Sequence, residues 1–265
     1  MYRSKTDDSH KIPLSDSLIL EGDVRKILPR LPDECVQCVV TSPPYWGLRD
    51  YGIEGQIGLE DTLSDYIRIL TSIFAEVRRV LKNDGILWLN IGDGYTSGNR
   101  GWRAPDKKNP NRAMSVRPDN PPGLKDKELL GIPWRLAFAL QTDGWFLRSD
   151  IIWHKPNAMP ESVKDRPTRA HEYVFMLTKC ERYSYFPEAV MEDAERGQRN
   201  CRTVWSINTA PSVGSHMASF PENLVRPCAC WLRRDPPISC STLSLAWERL
   251  GWWQQNRQDA SSASN

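Results

Sequence analysis

The run Val39-Val40-Thr41-Ser42-Pro43-Pro44-Tyr45-Trp46 drives an apolar strand into a hydroxyl, two prolines and two aromatic rings. Pro43 and Pro44 carry no amide hydrogen, so a ladder cannot continue through them, and the residue before each is held extended. The product is a stiff loop whose carbonyls lack backbone partners, set beside an aromatic face. That combination suits a flat ring bearing an amino group. Ser42 Oγ and the Pro43 carbonyl can accept its hydrogens, and Tyr45 can stack on the ring. A proline-terminated strand with a packed tyrosine would show the same Pro-Pro-Tyr, so the surrounding elements decide.

Those elements read as follows. Ser17 to Glu21 is a strand, Val24 to Leu31 a short helix, and Cys35 to Val40 the strand that ends in the proline loop. Thr62 to Lys82 is a long helix, with Tyr66, Ile69, Leu70, Ile73, Val77, Val80 and Leu81 at 3–4 spacing and Asn83-Asp84-Gly85 as its cap. Gly85 to Ile91 is a buried strand. Leu129 to Gln141 is a helix, with Ile132, Leu136, Ala139 and Leu140 inward and Pro133 in its first turn. Phe146 to Trp153 and Glu172 to Thr178 are further strands. Alternating strands and helices predict an α/β, doubly wound, Rossmann-like parallel sheet, with ligands at the carboxyl ends of its strands. Asp23, Ser42 and Asp93 all fall there. Gly92-Asp93-Gly94 could cradle a phosphate, but such a triplet is more often a turn.

These blocks resemble the DNA amino-methyltransferases, which methylate N4 of cytosine or N6 of adenine. The likeness is carried by TSPPY, by DGWFLRSDIIWHKPNAMPESVKDRPTRAHEYVFMLTK and by SHMASFPENL, in that order, across about residues 17–228. It implies an S-adenosyl-L-methionine-dependent, Rossmann-like methyltransferase sheet, with the catalytic motif ahead of the cofactor motif. It also implies that Ser42, Pro43, Pro44 and Tyr45 are catalytic, with Asp23, Phe220 and Pro221 beside the cofactor. Double-stranded DNA is the implied partner, with a cognate restriction endonuclease as a further one, and no metal is required. The TSPPY form leans toward N4-cytosine; N6-adenine and a non-catalytic DNA-binding remnant remain as alternatives.

Residues 95–128 are rich in Gly, Pro, Asn and positive charge. Arg100, Arg103, Lys107 and Lys108 surround Trp102. Such a loop suits phosphate contact, each neutralised phosphate adding roughly 0.9 to the log–log salt slope; a solvated surface loop would read the same way. Arg100, Arg103, Lys107, Lys108 and Trp46 are the DNA-contact candidates, and residues 180–215 the target-recognition segment. His154 and His171 read as loop-ordering or DNA-contacting groups. The chain has 265 residues, a net charge of +2 and 40% apolar content, so any nucleic-acid surface must be a local patch. No apolar run approaches membrane-spanning length and Met1 to Lys11 is polar, which points to a cytoplasmic protein without a membrane partner. Cys35-x-x-Cys38 lies inside an apolar strand with no second pair, so buried thiols are expected. Residues 1–16 read as a flexible arm.

The family likeness leads one to expect a DPFxGxGTT block soon after FPENL, where glycines let the backbone approach the cofactor. Instead the chain continues ACWLRRDPPISCSTLSLAWERLGWWQQNRQDASSASN, without periodicity or an evident sheet element. A sheet edge and apolar surface should then be exposed. If the third base of each codon from Cys240 onward is read with the first two of the next, permitted codons spell FDPFSGMGTTGVVATESARRFIGIE. Tryptophan has one codon, so Trp247–Glu248 forces Gly, Trp252–Trp253 forces Val and Trp253–Gln254 forces Ala, each where that block needs it. Residues 229–265 therefore read as an out-of-frame tail that leaves the sheet incomplete and cofactor binding weak.

Overall fold

The computed structural model describes residues 2–4, 18–20, 22–48, 54–96, 119–195, 197–209, 221–230 and 242–245. Its centre is a six-stranded sheet. Strands β1 (Tyr2–Ser4) and β2 (Leu18–Leu20) form a separate parallel pair. Residues 2–4 of the expected flexible arm are thus a strand, because their backbone finds the edge of β2. After β2 come α1 (Val24–Ile27) and a 3-10 turn (Leu28–Arg30), where one helix was expected. Pro29 has no amide hydrogen to continue an α-helix.

The sheet runs β10-β3-β4-β6-β5-β9, with β3 Val36–Thr41, β4 Leu81–Ile91, β5 Phe146–His154, β6 His171–Thr178, β9 Val204–Ser206 and β10 Thr242–Leu245. It is mixed rather than all parallel. β10, β3 and β4 run together, whereas β6 is antiparallel to both β4 and β5. A loop without a crossover helix joins β5 to β6, which leaves an antiparallel return as the simple pairing. The α/β architecture stands. Between β6 and β9 lies a small hairpin, β7 (Glu192–Ala194) with β8 (Gly197–Arg199).

α2 spans Leu63–Val80. Its N-cap Thr62 accepts from the Asp65 amide at 3.0 Å, and its Leu63, Tyr66, Leu70, Ile73, Phe74, Val77 and Val80 are buried. Asn83-Asp84-Gly85 does not cap it. The helix ends at Val80 and these residues lie within β4, where the pairing with β3 shifts between Val36 and Cys38. Gln37 Nε2 and Ser184 Oγ both donate to the Asp84 carboxylate and hold that irregularity. α3 spans Ile132–Thr142. It buries Ala137 where Ala139 was expected, because Pro133 is buried too and draws the stripe toward the adjacent Pro133–Ala137 row, leaving Ala139 half-buried at its edge.

Both faces of the sheet are covered. Val39, Leu87, Leu89, Phe175 and Leu177 pack with α2 and α3, while Cys38, Val40, Ile86, Trp88, Val174 and Met176 pack with Trp205 and α4 (Glu222–Cys230). Strands buried on both faces read as continuous apolar runs, which is what GILWLNI and EYVFMLT are. The expected lack of any sheet element after Cys228 is corrected by β10. Thr-Leu-Ser-Leu alternates with period two and pairs in parallel register with Cys38 to Thr41.

Candidate active site

The parallel strands β3 and β4 end side by side, and the antiparallel β6 begins at the same end, with Ile91 opposite Tyr173. β5 finishes there too, placing Trp153 opposite Glu172. Four strand ends therefore supply one site.

From β3 comes the proline loop. Tyr45 is its centre, and the Tyr45 hydroxyl donates to Glu172 Oε2 at 2.7 Å. One edge of the ring lies against Gly92, where a Cβ would come within 2.6 Å of Tyr45 Cε2. Gly92 is thus required by close approach of the ring, not by a phosphate cradle. Burial, then the charge of Glu172, push the Tyr45 phenol well above its ordinary range. The side chain of half-buried Ser42 works in the opposite sense and lowers the Tyr45 phenol in part. The Pro44 carbonyl accepts from the Tyr66 hydroxyl at 2.7 Å, which ties the loop to α2. Among the described residues the Pro43 carbonyl has no hydrogen-bond partner.

From β4 comes Asp93, whose side chain is only 5% exposed. Its Oδ1 accepts from the amides of Gly94 and Ile132, and its Oδ2 from that of Gly131. It caps α3, whose N-cap Gly131 has φ +70° and no side chain to do so. A cavity of about 310 Å³ opens beside these residues, lined by Tyr45, Gly92, Asp93, Tyr95, Arg166 and Arg169 among others. The guanidinium of Arg166 stands 3.9 Å from the Tyr95 ring centre and that of Arg169 5.3 Å. Two aromatic rings, a glycine floor and cations suit a planar heterocycle.

The sequence-derived candidates separate. Ser42, Pro43, Pro44 and Tyr45 are together. Trp46 is 8% exposed and donates its indole N–H to the Glu60 carbonyl at 2.8 Å, so it walls the cavity rather than offering a free stacking face. Asp23 does not line the cavity. It caps α1 and is gripped by Arg25 Nε and Nη2 at 3.0 and 2.7 Å. Burial raises its carboxyl, but Arg25 outweighs this and holds it below the ordinary range. Pro221 is buried at the start of α4. Phe220, Arg100, Arg103, Lys107 and Lys108 lie outside the described residues. His154 Nδ1 meets Ser206 Oγ at 3.1 Å, tying β5 to β9. Cys38 is fully buried, and neither it nor Cys35 is in a disulfide.

Glu172 is the residue the sequence did not single out. It collects Tyr45, Asn90 Nδ2 at 3.1 Å and Lys155 Nζ, with only 16% of its side chain exposed. Lys155 also lies 4.2 Å from the Trp153 ring centre. A lone Glu opening an apolar strand was the available signal.

Comparison with known proteins follows this geometry. The pattern of the N6/N4 DNA methylase family matches residues 36–229. The chain is 64% identical to Type II methyltransferase M.Cfr9I of Citrobacter freundii over 84% of its length and 75% of the relative's. It is 57% identical to M.SmaI of Serratia marcescens, over 84% of this chain and 78% of that one. Among solved structures, the cytosine-N4-specific PvuII DNA methyltransferase superposes with a TM-score of 0.61 at 20% identity, over 84% of this chain and 72% of that one. The Thermus thermophilus protein TTHA0409, complexed with S-adenosyl-L-methionine, gives 0.54 at 19% identity, over 85% and 76% of the two chains.

Proposed function

The chain belongs to the N6/N4 DNA methylase family, whose methyl donor is S-adenosyl-L-methionine, and on that premise we propose that it methylates the N4 amino group of cytosine in duplex DNA. The observation that carries this reading is the loop after β3. Tyr45 lines a cavity sized for a planar ring, and Ser42 and Pro43 precede it in the same loop, the Pro43 carbonyl without a hydrogen-bond partner among the described residues. An exocyclic amino group is a poor nucleophile because its lone pair is delocalised into the ring. Acceptance of both N–H bonds, at Ser42 and Pro43, localises that pair and aims it. Such stabilisation, stronger in the transition state than in the ground state, contributes a few kcal/mol in a dry site. The base must leave the stack to reach the loop, and Tyr45 receives it. Serine at the first motif position, rather than aspartate, supports cytosine over adenine. The basic stretch with Arg100, Arg103, Lys107 and Lys108 would contact phosphates, and residues 180–215 would read the target.

The donor supplies an electrophilic methyl group. The described residues do not build a full seat for it. Asp23 is committed to Arg25, and β10 leads into Ala246-Trp247-Glu248-Arg249 without a glycine for close backbone approach. This favours a second reading, in which the polypeptide as written binds DNA but the donor only weakly, because residues 229–265 are translated out of frame. The family match ending at residue 229 supports it. Nucleoside mass analysis of DNA from cells carrying a frame-restored gene tests the first reading: N4-methylcytosine is expected, and N6-methyladenine would overturn the choice of base. The nucleotide sequence after codon 228 tests the second: a gene with no DPFSGMGTT in the alternative phase would end it.

A further inference from the structure

One cation on the cavity wall has no role in the chemistry derived above. Arg169 lies in the loop from β5 to β6, lines the cavity with Tyr45, and has only 19% of its side chain exposed. A guanidinium carries five N–H donors and keeps its charge. Among the described residues, none of those donors makes a hydrogen bond. The carboxylate beside it is Asp93, at 4.0 Å, beyond hydrogen-bond reach. Asp93 is committed elsewhere, since its oxygens already accept from the amides of Gly94, Gly131 and Ile132. Arg166, three residues earlier, differs. Its Nη1 donates to Glu161 Oε2 at 2.6 Å and to the Pro167 carbonyl at 3.0 Å, so its charge is neutralised. Asp119, the third carboxylate of the lining, is exposed, and among the described residues it makes no ion pair with Arg169.

We propose that Arg169 binds a backbone phosphate of the nucleotide whose base enters beside Tyr45. The proposal rests on the methyl-transfer reading of that cavity and deepens it by assigning the substrate's charged group. A largely buried cation with unmet donors is unfavourable unless an anion meets it, and a nucleotide drawn into the cavity carries one. The planar fork of a guanidinium matches two phosphate oxygens at once. Tyr95 seats the group, its ring centre 5.3 Å from the Arg169 guanidinium and 3.9 Å from that of Arg166. The carboxylate of the methyl donor is the rival anion, but the residues expected beside the donor are elsewhere. Neither Asp23 nor Pro221 lines the cavity. Its Trp46, Leu130 and Ile132 belong to the core on the α2–α3 face of the sheet, whereas α4 packs on the other face.

The test needs neither turnover nor donor. Binding of a fluorescent single-stranded oligodeoxycytidylate, about ten nucleotides long, to the full chain is followed by anisotropy across a range of salt. A single strand offers a nucleotide without the cost of unpairing. Each phosphate neutralised on a single strand contributes roughly 0.7 to the log–log salt slope. Arg169→Gln should therefore flatten the slope by about 0.7. Arg169→Lys keeps the charge but loses the fork, so it should hold the slope while weakening affinity by about threefold to tenfold. An unchanged slope in Arg169→Gln overturns the proposal, and so does full affinity in Arg169→Lys, which decides alone if the glutamine variant does not fold. An unchanged slope with weakened binding of S-adenosyl-L-methionine would give the guanidinium to the donor carboxylate and also overturn it. Nucleoside analysis is separate. N4-methylcytosine made by a chain whose slope ignores Arg169→Gln sinks this assignment alone, and a flattened slope without methylated cytosine sinks the methyl-transfer reading alone.

Discussion

Gly92→Ala probes the closest contact in the site. An added Cβ would lie 2.6 Å from Tyr45 Cε2 and 3.2 Å from Cζ, against 3.4 Å for ordinary contact, a shortfall of 0.8 Å at the nearer atom. Tyr45 cannot swing away freely, since its hydroxyl is held by Glu172 at 2.7 Å and Gly92 directly follows the buried run of residues 85–91. Strain of this kind costs about 1–3 kcal/mol in a packed interior. For a chain of this size that is a fall in Tm of roughly 2–10 °C. A ring displaced by most of an ångström should also lose catalytic alignment, with up to about a hundredfold in rate. The assay is thermal unfolding of Gly92→Ala, Tyr45→Ala and the double variant. Removing the ring opens room for the methyl group, so the cost of Gly92→Ala should largely vanish in the Tyr45→Ala background. A cost under about 0.5 kcal/mol in the unaltered protein, or the same cost in both backgrounds, would refute the reasoning.

Other expectations are open to direct measurement. Tyr66→Phe removes the hydroxyl that anchors the Pro44 carbonyl and should cost about 1–2 kcal/mol in a urea melt; no change in midpoint would show that the loop does not depend on α2. The Asp84 carboxyl is raised by burial, but hydrogen bonds from Ser184 and Gln37 outweigh this and hold it below its ordinary 3.8. Its stabilisation is therefore present above 3.8 and lost as pH falls through the folded-state value. Asp84→Asn should destabilise at neutral pH and be nearly silent at about pH 2, and an equal effect at both would contradict the assignment. Calorimetry of the polypeptide as written should find no micromolar binding of S-adenosyl-L-methionine, and tight binding would refute the out-of-frame reading of residues 229–265.

Local signals located most of the scaffold. GILWLNI and EYVFMLT are apolar without interruption because both faces of the sheet are covered, and α2 shows its buried stripe at 3–4 spacing. The proline loop was legible because Pro-Pro has a single physical consequence, the end of a ladder. What was not legible depended on partners far along the chain. Asn83-Asp84-Gly85 has the composition of a helix cap, yet Gln37 and Ser184 draw Asp84 into a strand irregularity. Thr242–Leu245 is too short to stand out until Cys38 to Thr41 offers it an edge. Trp46 looked like a stacking ring because exposure is invisible in sequence; the Glu60 carbonyl turns it inward. Glu172 meets Tyr45 across 127 positions, and only the antiparallel return of β6 brings them together.

The measurement that bears most directly on the pocket is the nucleoside content of DNA from cells expressing a frame-restored gene, compared with Ser42→Ala and Tyr45→Ala versions expressed at equal level. The account predicts abundant N4-methylcytosine from the first and at least about a tenfold loss in both others. Undiminished modification in either variant would contradict it.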